Sequence, residues 1–235
     1  MNWTDKGILL SLQRYGETGA LASVLTREHG RHSGLVKSSN NMRAILQTGN
    51  RLHVTWSARL TEHLGRFSFE LIDAFGSNWL HDSSCLAGLS AVCAMVEVCL
   101  PEREPHVMTF DGLSMIIEAL GDKDWINLYV HWEVRLLSEL GFSLNLSSCV
   151  VSGVTEDLVY VSPKSGCAVS RTAGVAYHDK LLTLPAFLID TSKSSHGCIA
   201  SGFALTGYFL KRHVLSPQGK ALPSARSRLL NHFLI

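Results

Sequence analysis

The stretch Ala20-Leu-Ala-Ser-Val-Leu-Thr-Arg27-Glu-His29-Gly30-Arg31-His32-Ser-Gly-Leu-Val-Lys-Ser38 reads as two short strands joined by a turn. Aliphatic and β-branched residues fill the two runs, and Gly30 supplies a turn residue that tolerates positive φ. The same rhythm extends in both directions. Further strands are predicted near Thr4–Gln13, Arg51–Ala58 and Arg66–Ala74. Turn chemistry recurs at Tyr15-Gly16-Glu17-Thr18-Gly19, at Gln47-Thr48-Gly49-Asn50 and at Glu62-His63-Leu64-Gly65. Five strands at this spacing predict a small closed barrel, with the OB type as the leading candidate and an SH3-like barrel giving the same signals.

After Asn78 the periodicity becomes helical. Asp82-Ser83-Ser84 reads as a cap before a helix over Cys85–Leu100, which Pro101 and Pro105 terminate. Helices are predicted at Met108–Leu120 and at Asp124–Leu140, where Trp125, Leu128, Trp132 and Leu136 recur at three- and four-residue steps and Gly141 closes the run. A Gly-, Ser- and Val-rich excursion from Cys149 to Tyr177 interrupts the pattern. Helices then resume near Gly197–Val214 and Pro223–Phe233. The expected fold class is α+β, an all-β part at 1–78 followed by a mainly α part at 79–235.

A hydrophobic content of 46% over 235 residues is ordinary for a chain that buries a core. The most apolar segment, Cys85 to Leu100, contains Gly88, Ser90 and Glu97 and so reads as a core helix, not a membrane span. Neither a signal peptide nor an anchor is expected, and the predicted compartment is the cytoplasm. The six cysteines are expected to be reduced. A net charge of +1 conceals an uneven distribution. From Met1 to Leu80 nine Lys or Arg face six Asp or Glu, a balance of +3; His81 to Ser192 has six against fourteen, or −8; from Lys193 onward there are six against none. Basic ends around an acidic centre suit a protein that binds a polyanion while keeping its middle off it.

Catalytic patterns are missing: there is no phosphate-cradling Gly-Lys-Ser/Thr loop, no dinucleotide glycine fingerprint, no Gly-x-Ser-x-Gly and no His-Glu-x-x-His. His131-Trp-Glu133 and Asp122-Lys-Asp124 read as helix residues. No enzyme activity is expected. Cys149-Val-Val-Ser152 and Cys167-Ala-Val-Ser170 repeat a Cys-x-x-Ser spacing, but zinc asks for four thiolate or imidazole ligands and serine hydroxyls are neutral at pH 7, so no metal or other cofactor is expected. The basic residues of the barrel, Arg14, Arg27, Arg31, Lys37, Arg43, Arg51, Arg59 and Arg66, fall mostly at strand ends and in loops, where an OB barrel grips a nucleic-acid backbone. Trp3, Tyr15, Trp56 and Phe67 are candidates for stacking on bases or for the core.

Gly7-Ile-Leu-Leu through Gly16-Glu17, then Leu25-Thr26-Arg27-Glu28-His29-Gly30-Arg31, Leu46-Gln47-Thr48-Gly49-Asn50, Trp56-Ser-Ala-Arg59-Leu and Glu62-His63-Leu64-Gly65 together resemble the barrel of the RecO family of DNA-repair proteins. Arg135-Leu-Leu-Ser-Glu-Leu-Gly141-Phe, the Cys149 to Ser170 excursion and Leu222-Pro223-Ser-Ala-Arg226 resemble its helical part. The resemblance implies an N-terminal OB domain and a helical domain with a zinc-finger-like insertion at about 145–178. It further implies a non-catalytic mediator that binds single- and double-stranded DNA, anneals complementary strands and, with RecR, helps load RecA onto strands coated by single-stranded-DNA-binding protein (SSB). Two departures stand out: Lys37-Ser-Ser-Asn-Asn-Met-Arg43 replaces a Gly- and Arg-rich loop, and only Cys149 and Cys167 stand in four metal-ligand places. An acidic SSB tail with an apolar end would suit Phe203, Tyr208, Lys211, Arg212, Arg226 and Arg228. The alternatives to this reading are a non-catalytic protein-interaction scaffold and an RNA-binding OB protein.

Overall fold

The computed structural model describes residues 1–17, 19–37, 45–60, 63–79, 81–190 and 198–234. Arg43 and most of its loop, with Thr18, Glu62, Leu80, Lys193 and Gly197, lie outside the described residues. The chain divides into two compact units, Met1–Gly121 with Pro223–Leu229, and Asp122–Leu222 with Leu230–Ile235.

In the first unit β1 (Asn2–Tyr15), β2 (Gly19–Thr26), β3 (Gly30–Lys37), β4 (Arg51–Ser57) and β5 (Gly65–Asp73) close into a barrel of order β1-β2-β3-β5-β4. A meander would bond β3 to β4. Here β5 lies between them, parallel to β3 through Gly34↔Gly65 and Leu35↔Arg66, and β4 returns to β1. That Greek-key order is the OB type and removes the SH3-like alternative. β1 can serve two neighbours because it is long: Asn2–Ile8 pair with β4, and Gly7–Tyr15 with β2 across an irregularity between Leu9 and Ser11. At the crossing point a side chain has no room. A Cβ on Gly7 would lie 2.7 Å from methyls of both Val24 and Val54.

Leu9, Val24, Leu52, Val54, Trp56 and Phe69 are among the residues that fill the barrel, each fully buried aliphatic contributing about 1.5–3 kcal/mol. Ile8 and Leu10 point to the opposite face of β1 and are equally buried, because helix α1 (Ser83–Cys99) packs on that strand and Ser11 donates to Glu97 at 2.5 Å. Asp82 caps α1 as the sequence predicts, its carboxylate accepting from Ser84 N and Cys85 N. These bonds hold the Asp82 carboxyl down at about 2. The helix α2 (Val107–Ala119) follows. Between the two helices, Arg103 N donates to Arg31 O, and Arg31 and Glu102 form a parallel bridge. The segment after α1 therefore continues the hydrogen bonding of β3 where β5 does not reach it.

The second unit is built on α3 (Trp125–Glu139) and α4 (Ile199–Phe209), the latter continuing as a π-helical turn over Leu210–Leu215. Tyr129 stacks on Phe203, and Thr206 donates to the fully buried Glu133 at 2.5 Å. His131 bonds Phe187 O, so the His131-Trp-Glu133 triplet has structural partners throughout. The predicted stripe is shifted at one place: Leu128 is exposed and Tyr129, one residue on, takes the buried position, as a 3.6-residue period requires of the series Trp125, Tyr129, Trp132, Leu136. Gly141, at φ 88°, ends α3, with Phe142 N donating back to Leu137 O. The excursion supplies β6 (Leu158–Val161) and β7 (Ala168–Ser170), and β8 (Leu182–Thr183), beyond its predicted end, completes a small sheet of order β7-β6-β8. A last helix, α5, spans Ser224–Asn231.

Candidate nucleic-acid interface

The barrel arginines separate into two groups by their partners. Arg27 Nε and Nη2 each donate at 3.1 Å to the Asp111 carboxylate, and Nη1 donates to Glu28 at 2.9 Å. The Asp111 hydrogen bonds and charge raise the Arg27 pKa above its ordinary value. Arg31 donates to Leu100 O and to Glu102, both at 3.2 Å. Arg51 bonds Asp73 at 3.0 Å and also Glu118, with its guanidinium 5.2 Å from the Phe75 ring centre. Three of the eight predicted residues are thus matched by carboxylates. Glu102, Asp111 and Glu118 come from the acidic middle of the sequence, which here neutralises part of the barrel's charge.

Arg14, Lys37, Arg59 and Arg66 are exposed and have no ion-pair partner among the described residues. Strand pairing puts Lys37 and Arg66 on one face, whereas Arg14, in the row of the core residues Ala20 and Val36, belongs to the opposite face. Tyr15 stands opposite Gly19, which stands opposite Lys37; Arg14 is opposite Ala20; Gln13, Leu21, Leu35, Arg66 and Ser57 make the next row across the sheet. Side chains alternate along a strand, so Leu35 and Lys37 share the outer face of β3 with Arg66 of β5 beside them. Arg59 and Arg66, with Ser57, His63 and Leu64, line a cleft of about 310 Å³. Of the aromatic candidates, Trp56 and Phe67 are core, Tyr15 is 55% exposed, and Trp3 is half-buried.

Trp3 belongs to a cluster that the sequence does not announce. Its ring stacks on His29 with centroids 4.2 Å apart and planes 7° from parallel, lies 5.6 Å from Trp56, and meets His32 edge-on at 5.0 Å. Asp5 fixes His29: its carboxylate accepts from His29 Nδ1 at 3.0 Å and from the Glu28 and Lys6 amides. Burial pushes the His32 pKa below its ordinary value, and the positive charge of Arg103 adds to the effect, so this imidazole is neutral at pH 7.

In the second unit, Cys149 opens the first of the two Cys-x-x-Ser spacings. Its sulfur accepts from Ser170 N at 3.2 Å. Burial acts to raise its pKa, but hydrogen bonds from Ser152 and Ser170 outweigh it and bring the thiol to about 6. Cys167 turns its thiol towards Ser165 O instead. Two thiols and two neutral hydroxyls do not fit a tetrahedral zinc site, and among the described residues there is no group of three or more His, Cys, Asp or Glu placed to hold a metal. Of the residues suited to an acidic tail, Lys211 and Arg212 are exposed, and Arg212 lies over Tyr208, bonding its hydroxyl. Phe203 is a core residue at 1% exposure. Arg226 is buried in the first unit, where exposed Arg228 bonds Ser224.

The Greek-key barrel and the exposed cations across its outer face define an OB-type barrel protein. A family model for the N-terminal part of recombination protein O matches residues 1–75, and the model for its C-terminal part matches residues 80–222. Proteins named DNA repair protein RecO are similar over nearly the whole chain: that of Rhodospirillum centenum is 46% identical, covering 99% of this chain and 95% of its own, that of Rhodospirillum rubrum 42%, covering 98% and 95%, and that of Cereibacter sphaeroides 45%, covering 98% and 97%. The chain belongs to the RecO family. Among the described residues no helix is long and apolar enough to cross a membrane.

Proposed function

We propose that this protein is a non-catalytic, cytoplasmic DNA-repair mediator that grips DNA by its phosphates across the outer face of β2, β3 and β5. The observation that carries the reading is the set Lys37, Arg59 and Arg66, without carboxylate partners among the described residues and displayed with exposed Tyr15 on an OB-type barrel of this family. Cations give affinity for either single or double strands without reading sequence, which is what an annealing protein needs, since it must accept any complementary pair. Arg27, Arg31 and Arg51 contribute less, because each guanidinium already holds a carboxylate.

With RecR, such a protein would help RecA onto single strands coated by SSB, and the acidic SSB tail would dock on Tyr208, Lys211 and Arg212 of the second unit. The test is binding of a single-stranded oligonucleotide across a salt series, followed by annealing of complementary strands with and without SSB. Each phosphate contact on a single strand adds about −0.7 to the slope of log K against log salt. Replacing Arg59 and Arg66 by Ala should flatten the slope by about 1.4 and slow annealing. A slope that stays the same would place the DNA site elsewhere, and tighter binding to RNA than to DNA of one sequence would favour the RNA-binding alternative.

A further inference from the structure

We propose that the cavity between Trp3, His29, His32, Trp56 and Arg103 receives one unstacked nucleobase of the strand whose phosphates lie on Arg59 and Arg66. This inference rests on the DNA-binding reading above and deepens it by naming what the barrel does with a base.

The cavity encloses about 300 Å³ at one end of the barrel, between the start of β1, the β2–β3 turn, β4 and the loop before α2. Known ligand pockets span roughly 300–1,000 Å³, so this one is sized for a single planar ring system and not for a run of nucleotides. Its lining has matching chemistry. The His29 imidazole, its side chain 36% exposed and backed by Trp3, offers a plane for stacking, and the Glu28 carboxylate, the two imidazoles and the Arg103 guanidinium border the cavity with acceptors and donors. Aromatic planes beside polar groups suit a planar heteroaromatic ring better than the aliphatic side chain of a protein partner. A base can engage both.

The walls are fixed before any ligand arrives. His29 is locked by Asp5, whose own side chain is only 6% exposed. Trp56 is 1% exposed and pressed against Gly65 so closely that a Cβ there would lie 2.1 Å from its indole nitrogen, which has no hydrogen-bond acceptor among the described residues. Arg103 sits at φ 64°, a left-handed conformation that is costly for a residue with a Cβ. That conformation is held by the bond from Arg103 N to Arg31 O.

The cavity also adjoins the cation cleft. Arg103 Nη2 donates to the carbonyl of His63, and the Met1 ammonium group donates to the carbonyl of Ala58; His63 and Ala58 line the cleft with Arg59 and Arg66. A strand lying on those arginines has an aromatic recess beside it. Capture of one base would hold the strand by more than charge and keep that base out of a stack.

The discriminating pair of probes is a thymidine oligomer and an abasic oligomer of equal length, which share phosphates and differ only in bases. Trp3→Leu should cut the ratio of their affinities by about tenfold, within the worth of one stacked base. Trp3→Phe, which retains a ring, should keep the ratio. His29→Ala gives a second reading on a more exposed residue, should Trp3→Leu fail to fold. Arg59→Ala with Arg66→Ala should instead weaken both probes in parallel and leave the ratio alone. A folded Trp3→Leu and a folded His29→Ala that both keep the wild-type ratio would overturn the base pocket. Wild-type protein that binds neither probe would overturn the DNA reading itself.

Discussion

Cys149 shows how the fold sets the chemistry of a single side chain. Its ordinary pKa of 9.0 falls to about 6 in the folded protein, so the folded state favours the thiolate more than the unfolded chain does. The resulting stabilisation is fully present above pH 9 and is lost as pH falls through 6. Melting temperatures of wild type and Cys149→Ala should therefore diverge as pH rises from 6 to 9, and a constant gap over that range would refute the thiolate. Metal analysis of protein purified without chelator should find no stoichiometric zinc; one zinc per chain, lost with Cys149, would reverse that expectation. The two Cys-x-x-Ser spacings were legible in the sequence. The lowered pKa was not, since besides the local Ser152 hydrogen bond it needs Ser170 to fold onto a sulfur 21 residues away. The same holds for Trp3, whose stacking on His29 needs the β1–β2 register before the two rings can meet.

Strands and helices were legible where local chemistry decides them: the turn glycines Gly16, Gly30 and Gly49, the Asp82 cap and the Gly141 stop stand as read, whereas Gly65 opens β5 and is small because Trp56 packs on it. What the strands pack against was not legible, because no local pattern records a contact between segments. Gly30 is the example. Its φ of 75° is turn chemistry, but a Cβ there would also lie 1.9 Å from the backbone oxygen of Glu104, so the glycine serves the close approach of the segment before α2. Gly30→Ala combines left-handed strain with a backbone clash and should cost at least about 2 kcal/mol in denaturant unfolding; a change within error would mean that the segment yields freely. Helix α2 likewise sets the charge of the barrel, through bonds spanning 84 residues to Arg27 and 67 to Arg51. Asp111→Asn with Glu118→Gln should remove one carboxylate from each guanidinium group, leaving Glu28 on Arg27 and Asp73 on Arg51, and so tighten single-strand binding and steepen its salt dependence. These pairs are exposed, so the melting temperature should change little. Unaltered binding would show that neither arginine can reach a phosphate.

At the scale of the whole molecule, the regional charge balance pointed to polyanion binding but misplaced the role of the acidic middle, part of which lies against barrel arginines. Net charge by segment reports partners, and only the folded contacts say which charges remain available. Among the described residues, exposed cations without a carboxylate partner occur in both units, Arg14, Lys37, Arg59 and Arg66 among those of the first, and Lys211 and Arg212 among those of the second. Two surfaces of like sign can divide two anionic partners between them. A DNA backbone needs a row of cations and little else, whereas an acidic peptide with an apolar end needs cations beside a surface that can bury a side chain. Tyr208, half-buried under the Arg212 guanidinium, offers such a surface in the second unit. Charge reversal at Lys211 and Arg212 to Glu should therefore weaken binding of an SSB tail peptide at least tenfold while leaving bare single strands bound nearly as before. Arg59→Ala with Arg66→Ala should show the opposite pattern. Parallel loss of peptide and strand in the Lys211 and Arg212 variant would make the second unit another DNA surface, and annealing of SSB-coated strands would then fall no further than annealing of bare ones.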